Sequence, residues 1–167
     1  IETEMGNPII VAHDGKSLEE TLSLADKLRP TGCIHKVNDL LKSEGIRHLL
    51  PELSVYGRVM CDFKEHDIPN TVENDCRRLA PYRPWAVTVH ASGDGDMIKA
   101  ALQGLGNMYT SILGVTVLTS FSPARCETIY RRRPLPQVKK LAEIAITAGA
   151  DGLVCAPPEV LVLRKMF

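Results

Sequence analysis

The sequence predicts an α/β chain built on one parallel sheet, a β/α barrel of the TIM (β/α)8 type, and three observations predict it. Short Val/Ile-rich runs bounded by Gly, Asp, Asn or Pro alternate with stretches of helical period, the pattern of successive β-α units. Polar residues recur where those runs end: Asp14, Lys36, Asp62 with Lys64, His90 with Ser92, and Thr119 with Ser120. A β/α barrel assembles its site from such strand ends. The turn after the first run reads Asp14-Gly15-Lys16-Ser17 and lacks the G-x-G-x-x-G that an open dinucleotide-binding sheet places there.

Strands are expected at 8–14, 33–38, 58–64, 86–92, 112–118 and 152–157, and helices at 17–28, 39–50, 70–80, 95–105, 135–148 and 158–166. In the first helix Leu18, Leu22, Leu24, Ala25 and Leu28 form an apolar stripe, and Ser17 with Glu20 reads as a capping box. The apolar runs suit strands covered on both faces. This makes six β-α units, whereas a closed barrel needs eight over roughly 200 residues or more. Residues 1–167 therefore read as one incomplete barrel domain in which strands seven and eight are not found.

Composition narrows the function classes. The 167 residues carry 20 Lys plus Arg against 20 Asp plus Glu, so no basic excess points to nucleic acid. No apolar run approaches the roughly 20 residues of a membrane span, and the acidic start Ile1-Glu2-Thr3-Glu4 leads into no signal-peptide core. A cytoplasmic setting is expected. The five cysteines, Cys33, Cys61, Cys76, Cys126 and Cys155, are odd in number and lack C-x-x-C spacing. They read as small buried hydrophobes in a reducing compartment, not as a disulfide framework or a zinc site.

The most informative stretch runs from Cys61 to Thr71. On a strand, Asp62 and Lys64 are two apart and share a face. Asp67 follows in the loop, where Pro69 helps set the turn into a helix. Carboxylates and ammonium groups packed together hold one another ionised. Such a network can deliver a proton to a carbanion while setting negative charge against a substrate anion. A plain salt-bridged strand end has the same pattern.

Asp62-Phe63-Lys64-Glu65-His66-Asp67-Ile68-Pro69-Asn70-Thr71 resembles the signature of the orotidine 5′-monophosphate decarboxylase family. The D-x-K-x-x-D part is shared with related sugar-phosphate decarboxylases and aldolases, and His66-Asp67-Ile68-Pro69-Asn70-Thr71 points to the pyrimidine family. Residues 9–14, Lys36-Val37, 87–93, 115–120 and 149–155 resemble its first, second, fourth, fifth and sixth strand regions. The resemblance implies conversion of orotidine 5′-monophosphate (OMP) to uridine 5′-monophosphate in pyrimidine biosynthesis, with no metal or organic cofactor. It implies that Asp14 and Lys36 hold the ribose hydroxyls and that Lys36 joins the charge network. Asp62 would face the substrate carboxylate and Lys64 would protonate C6. Asp67 and Thr71 would reach across a homodimer interface into the partner site. Ser120 would contact the pyrimidine edge, with Thr119 beside it.

The family grips phosphate mainly in loops after strands seven and eight, with a Gln and a Gly-Arg pair that nothing here matches. Two other readings follow: a truncated, non-catalytic remnant or interaction module of the same fold, and a related sugar-phosphate decarboxylase or aldolase, with or without magnesium. His13 and His35 stand where the family usually carries apolar residues. By alternation they point out of the barrel at similar heights, either as a pH-sensitive or metal-binding pair or as two buried, hydrogen-bonded histidines. Asn38 stands where the family commonly has Gly. Arg125, Arg131, Arg132 and Arg133 are placed in a long loop after strand five, as anion contacts or as a solvated face. His90 is expected to pack at the barrel top, and Trp85 between helix and strand.

Overall fold

The computed structural model describes residues 6–106 and 109–167. Six strands are present among them: β1 Ile10–Ala12, β2 Ile34–Val37, β3 Val59–Glu65, β4 Ala86–His90, β5 Ser111–Val115 and β6 Gly152–Val154. The intervening helices are α1 Leu18–Leu28, α2 Asp39–Ser43, α3 Ile46–Leu53, α4 Pro69–Leu79, α5 Asp94–Leu105, α6 Pro123–Tyr130 and α7 Pro134–Ala148, with α8 Val160–Met166 after the last strand. Every strand pairs in parallel with the next, giving the order β1-β2-β3-β4-β5-β6. This order separates a barrel from a doubly wound sheet. Parallel crossovers are right-handed, so an order that never reverses puts all helices on one face, and the sheet curls with its other face inward. The expected fold is what the chain adopts: a six-stranded partial barrel, with β1 and β6 as open edges among the described residues.

The two faces of the sheet divide the side chains. Val37, Val59, Cys61, Val87, Val89 and Ile112 face the helices and are buried with Leu49, Leu53, Val72, Met97, Ile98, Leu141 and Ala145. The inner face carries a smaller apolar group, Ile34, Met60 and Ala86, with Trp85 and Leu113 against it. Trp85 thus closes the bottom of the inner face instead of filling a helix–strand gap, and the Arg58 guanidinium lies 5.7 Å from its ring centroid. Above that apolar floor the inner face turns polar at Lys36, Asp62 and Thr88. Four of the five cysteines are buried and all five are free. Burial pushes the Cys61 thiol up to about 12.

The capping box forms as read: Ser17 Oγ accepts the Glu20 N–H and Glu20 Oε2 accepts the Ser17 N–H, at 3.2 and 2.8 Å. Two expected elements differ. The helix expected at 39–50 is broken, because Gly45 takes φ +75° and restarts the chain as α3. The loop expected after strand five contains α6. Ser122 caps it, with Pro123 in its first turn, and Arg131 closes it in the left-handed conformation. Arg125 therefore lies on a helix, while Arg131, Arg132 and Arg133 make a short α6–α7 junction in which all three side chains are exposed. Asn38 has φ −130°, so this position makes no demand for glycine. No described helix is long and apolar enough to cross a membrane.

Candidate active site

The site begins with a fault in the sheet. Cys61 pairs with Val87 and Glu65 pairs with Val89, so Asp62, Phe63 and Lys64 on β3 stand opposite Thr88 alone on β4. The surplus residues bulge, and Lys64 takes φ +53°, a conformation rare for a residue with a Cβ. Strained backbone of this kind persists where its surroundings over-determine it. Asp62 and Lys64 do meet, as expected, but strict alternation is not the cause. The bulge breaks the alternation and turns the Lys64 ammonium back onto Asp62.

Asp62 is 6% exposed and both its oxygens are engaged. Its Oδ2 accepts from Lys64 Nζ at 2.7 Å and Lys36 Nζ at 3.2 Å. Its Oδ1 accepts from Thr88 Oγ1 at 2.8 Å. Lys36 Nζ also donates to Asp14 Oδ2 and Oδ1 at 2.9 and 3.2 Å. Four consecutive charges, Asp14, Lys36, Asp62 and Lys64, are linked across three strand ends. Burial works against ionised Asp62, but the Lys64 and Thr88 hydrogen bonds, the Lys64 charge and the Lys36 hydrogen bond outweigh it and hold the carboxyl below its ordinary range. Burial likewise works against charged Lys36, and its bonds to Asp14 and Asp62 outweigh it, so its ammonium is held above the ordinary range. Asp62 and Lys36 thus each favour the charged form.

The remaining expected residues lie apart from this cluster. Asp67 is exposed in the β3–α4 loop, where its Oδ1 accepts the Ile68 N–H at 2.7 Å. Thr71 is half-buried in the first turn of α4. β5 ends at Val115, earlier than expected, and Thr119 and Ser120 form an exposed turn beyond it. His90 packs at the top of β4 with its ring 5.1 Å from that of His66. Burial, with the charges of His66 and Lys64, lowers its pKa. His13 and His35 are neighbours behind the site, with Nε2 and Nδ1 3.1 Å apart, and both are fully buried. No third His, Cys, Asp or Glu joins them, and no group of three or more such residues that could hold a metal occurs among the described residues. Sequence reasoning missed Thr88. The available signal was a lone hydroxyl inside the apolar run Ala86-Val87-Thr88-Val89, two residues before His90.

A singly wound parallel sheet whose strand ends share one buried carboxylate between two ammonium groups defines a partial β/α barrel with a charge network at its strand ends. The comparisons place it more narrowly. The model of the Orotidine 5'-phosphate decarboxylase / HUMPS family matches residues 7–166, and the chain belongs to that family. Its curated relatives include the orotidine 5'-phosphate decarboxylases of Laribacter hongkongensis, 36% identical over 96% of this chain and 68% of that protein, and of Alkalilimnicola ehrlichii, 41% identical over 94% and 68%. These are carboxy-lyases by name, and the chain spans about two thirds of their length. The crystal structure of orotidine 5'-phosphate decarboxylase from Lactobacillus acidophilus superposes with a TM-score of 0.85 at 36% identity, over 95% of this chain and 75% of that one.

Proposed function

We propose that this protein decarboxylates OMP to uridine 5′-monophosphate through the Asp14–Lys36–Asp62–Lys64 network, without a metal or organic cofactor. The observation that carries the reading is the single Asp62 oxygen shared by Lys36 and Lys64 at the inner strand ends. Asp14 and Lys36 serve the ribose hydroxyls. The substrate carboxylate is set toward ionised Asp62, so its departure as neutral carbon dioxide relieves a repulsion between two anions. The C6–carboxyl bond breaks and its electron pair stays on C6. The Lys64 ammonium gives that carbon a proton, and solvent later restores the proton to Lys64. A fixed cation beside the atom where negative charge develops is the arrangement that stabilises such a transition state.

The wider reading includes a homodimer. Asp67 and Thr71 lie outside the cluster of their own chain, Asp67 on an exposed loop, which suits residues that act in a partner's site. Thr119 and Ser120, also exposed, suit contacts to the pyrimidine. Residues 1–167 act in this reading as one incomplete barrel domain working in the cytoplasm.

Loss of OMP absorbance in excess chelator tests the activity, with Lys64→Ala as control. Mixing Lys64→Ala with Asp67→Ala tests the shared site. Restored turnover in the mixture is expected, because a mixed dimer holds one site with both native residues. Wild-type turnover with no restoration contradicts the shared site, and no wild-type turnover contradicts the decarboxylase reading.

A further inference from the structure

We infer that Thr88 is a positioning residue that fixes both the Asp62 carboxylate and the Lys64 backbone through one hydroxyl. The inference rests on the decarboxylase reading of this site and extends it to a residue on β4. Thr88 is fully buried and is the one β4 residue facing the β3 bulge. Its Oγ1 accepts the Lys64 N–H at 2.9 Å and donates to Asp62 Oδ1 at 2.8 Å. The bulge has taken that N–H out of the sheet ladder, so without the hydroxyl it would lie in the interior without this partner.

The direction of the bonds is determined. Lys64 N–H can only donate, so Thr88 Oγ1 receives there and its own proton goes to Asp62 Oδ1. Asp62 is then held at both oxygens, by Thr88 on one and by Lys64 and Lys36 on the other. Lys64 is held at both ends, its backbone by Thr88 and its ammonium by Asp62. One atom on a neighbouring strand therefore ties the carboxylate to the backbone of the proton donor. A catalytic group displaced by an ångström loses much of its effect, which gives the hydroxyl kinetic weight although it is not aimed at the substrate.

The charged and titratable groups around Asp62 are Lys36 from β2, Lys64 from β3, His90 from β4 and, through Lys36, Asp14 beyond β1. Thr88→Val keeps the shape and deletes both hydrogen bonds, and Thr88→Ser keeps the oxygen. In OMP turnover, Thr88→Val is expected to lower kcat by about 10- to 100-fold, the weight of a hydrogen bond to a charged group, with KM changed by less than about threefold. The acid limb of its kcat profile is expected at higher pH, because ionised Asp62 has lost a donor. Thr88→Ser is expected to restore both kcat and the acid limb. If Thr88→Val does not fold, Thr88→Ala carries the same expectation.

Carboxyl-carbon NMR of Asp62 in the full chain gives a readout independent of turnover. Its titration midpoint should rise in Thr88→Val and not in Thr88→Ser. Wild-type kcat and pH profile in the valine variant would overturn the inference, as would equal losses in both variants with the acid limb unmoved. A wild-type protein that leaves OMP untouched sinks the decarboxylase reading instead, and the Asp62 titration then still decides the role of Thr88: an unchanged midpoint overturns it.

Discussion

The buried pair His13–His35 makes stability depend on pH in a window where few other side chains titrate. Both rings are fully buried, their centroids 5.2 Å apart and their planes tilted by 52°. Nε2 of His13 and Nδ1 of His35 are 3.1 Å apart, so one ring donates and the other accepts. Protonating the acceptor would set two N–H groups against each other. Burial lowers His13 from 6.5 to about 4, with His35, Lys16 and Lys36 adding to the shift and Asp14 opposing it. Burial also lowers His35, against a backbone bond to Tyr56.

An unfolded histidine titrates near 6.5. Between that value and about 4 the unfolded chain therefore binds more protons than the folded one, and stability falls as pH falls. For His13 the full loss is on the order of 3 kcal/mol, of which about 2 kcal/mol is reached by pH 5. The double variant His13→Leu/His35→Leu removes both titrations and leaves neither ring without the other. Urea unfolding of both proteins from pH 8 to 5 is the assay. Groups common to both, Asp62, Glu20 and Glu65 among them, cancel in the difference. The wild type should lose at least about 2 kcal/mol relative to the variant across that range. Parallel curves would show that the two rings do not carry this pH dependence.

Three further outcomes follow from packing and backbone. Gly104 on α5 lies against α4, where an added Cβ would overlap the Glu73 carbonyl oxygen and crowd Cys76 Cβ at 2.9 Å. Gly104→Ala should therefore cost roughly 1–3 kcal/mol in urea unfolding, and a neutral result would contradict the close helix contact. Arg131 closes α6 at φ +55° and is exposed, so Arg131→Gly should raise stability by roughly 0.5–1 kcal/mol, and a loss would show that its side chain matters more than its backbone. In the native protein only the half-buried Cys155 should react readily with a thiol reagent, and the four buried cysteines only after unfolding; fast reaction of two or more would contradict their burial.

Much of this architecture was legible because its signals are local. The 3.6-residue period, the Ser17–Glu20 box and the Val/Ile runs each act within a dozen residues, and they placed all six strands. The order of the sheet followed from the rhythm of single β-α units. The α6 helix was obscured by the arginines at 125 and 131–133, although Ser122-Pro123 is a helix-start signal. The break at Gly45 was hidden because Leu40, Leu41, Leu49 and Leu50 keep an apolar pattern across it. At the site, Asp14, Lys36, Asp62 and Lys64 were readable as strand-end charges. The role of Thr88 was not, because it depends on how many β3 residues oppose it across the sheet. A register shift is a property of two strands and leaves no mark in either one alone.

The central claim is that the network of Asp62 and Lys64 breaks the bond between C6 and the carboxyl carbon. Release of labelled carbon dioxide from carboxyl-labelled OMP, measured against uridine 5′-monophosphate formed, tests it most directly. Equal amounts of the two products are expected from the wild-type chain with chelator present, and loss of both in Lys64→Ala. No labelled carbon dioxide at high protein and substrate, or release that persists in Lys64→Ala, would contradict it.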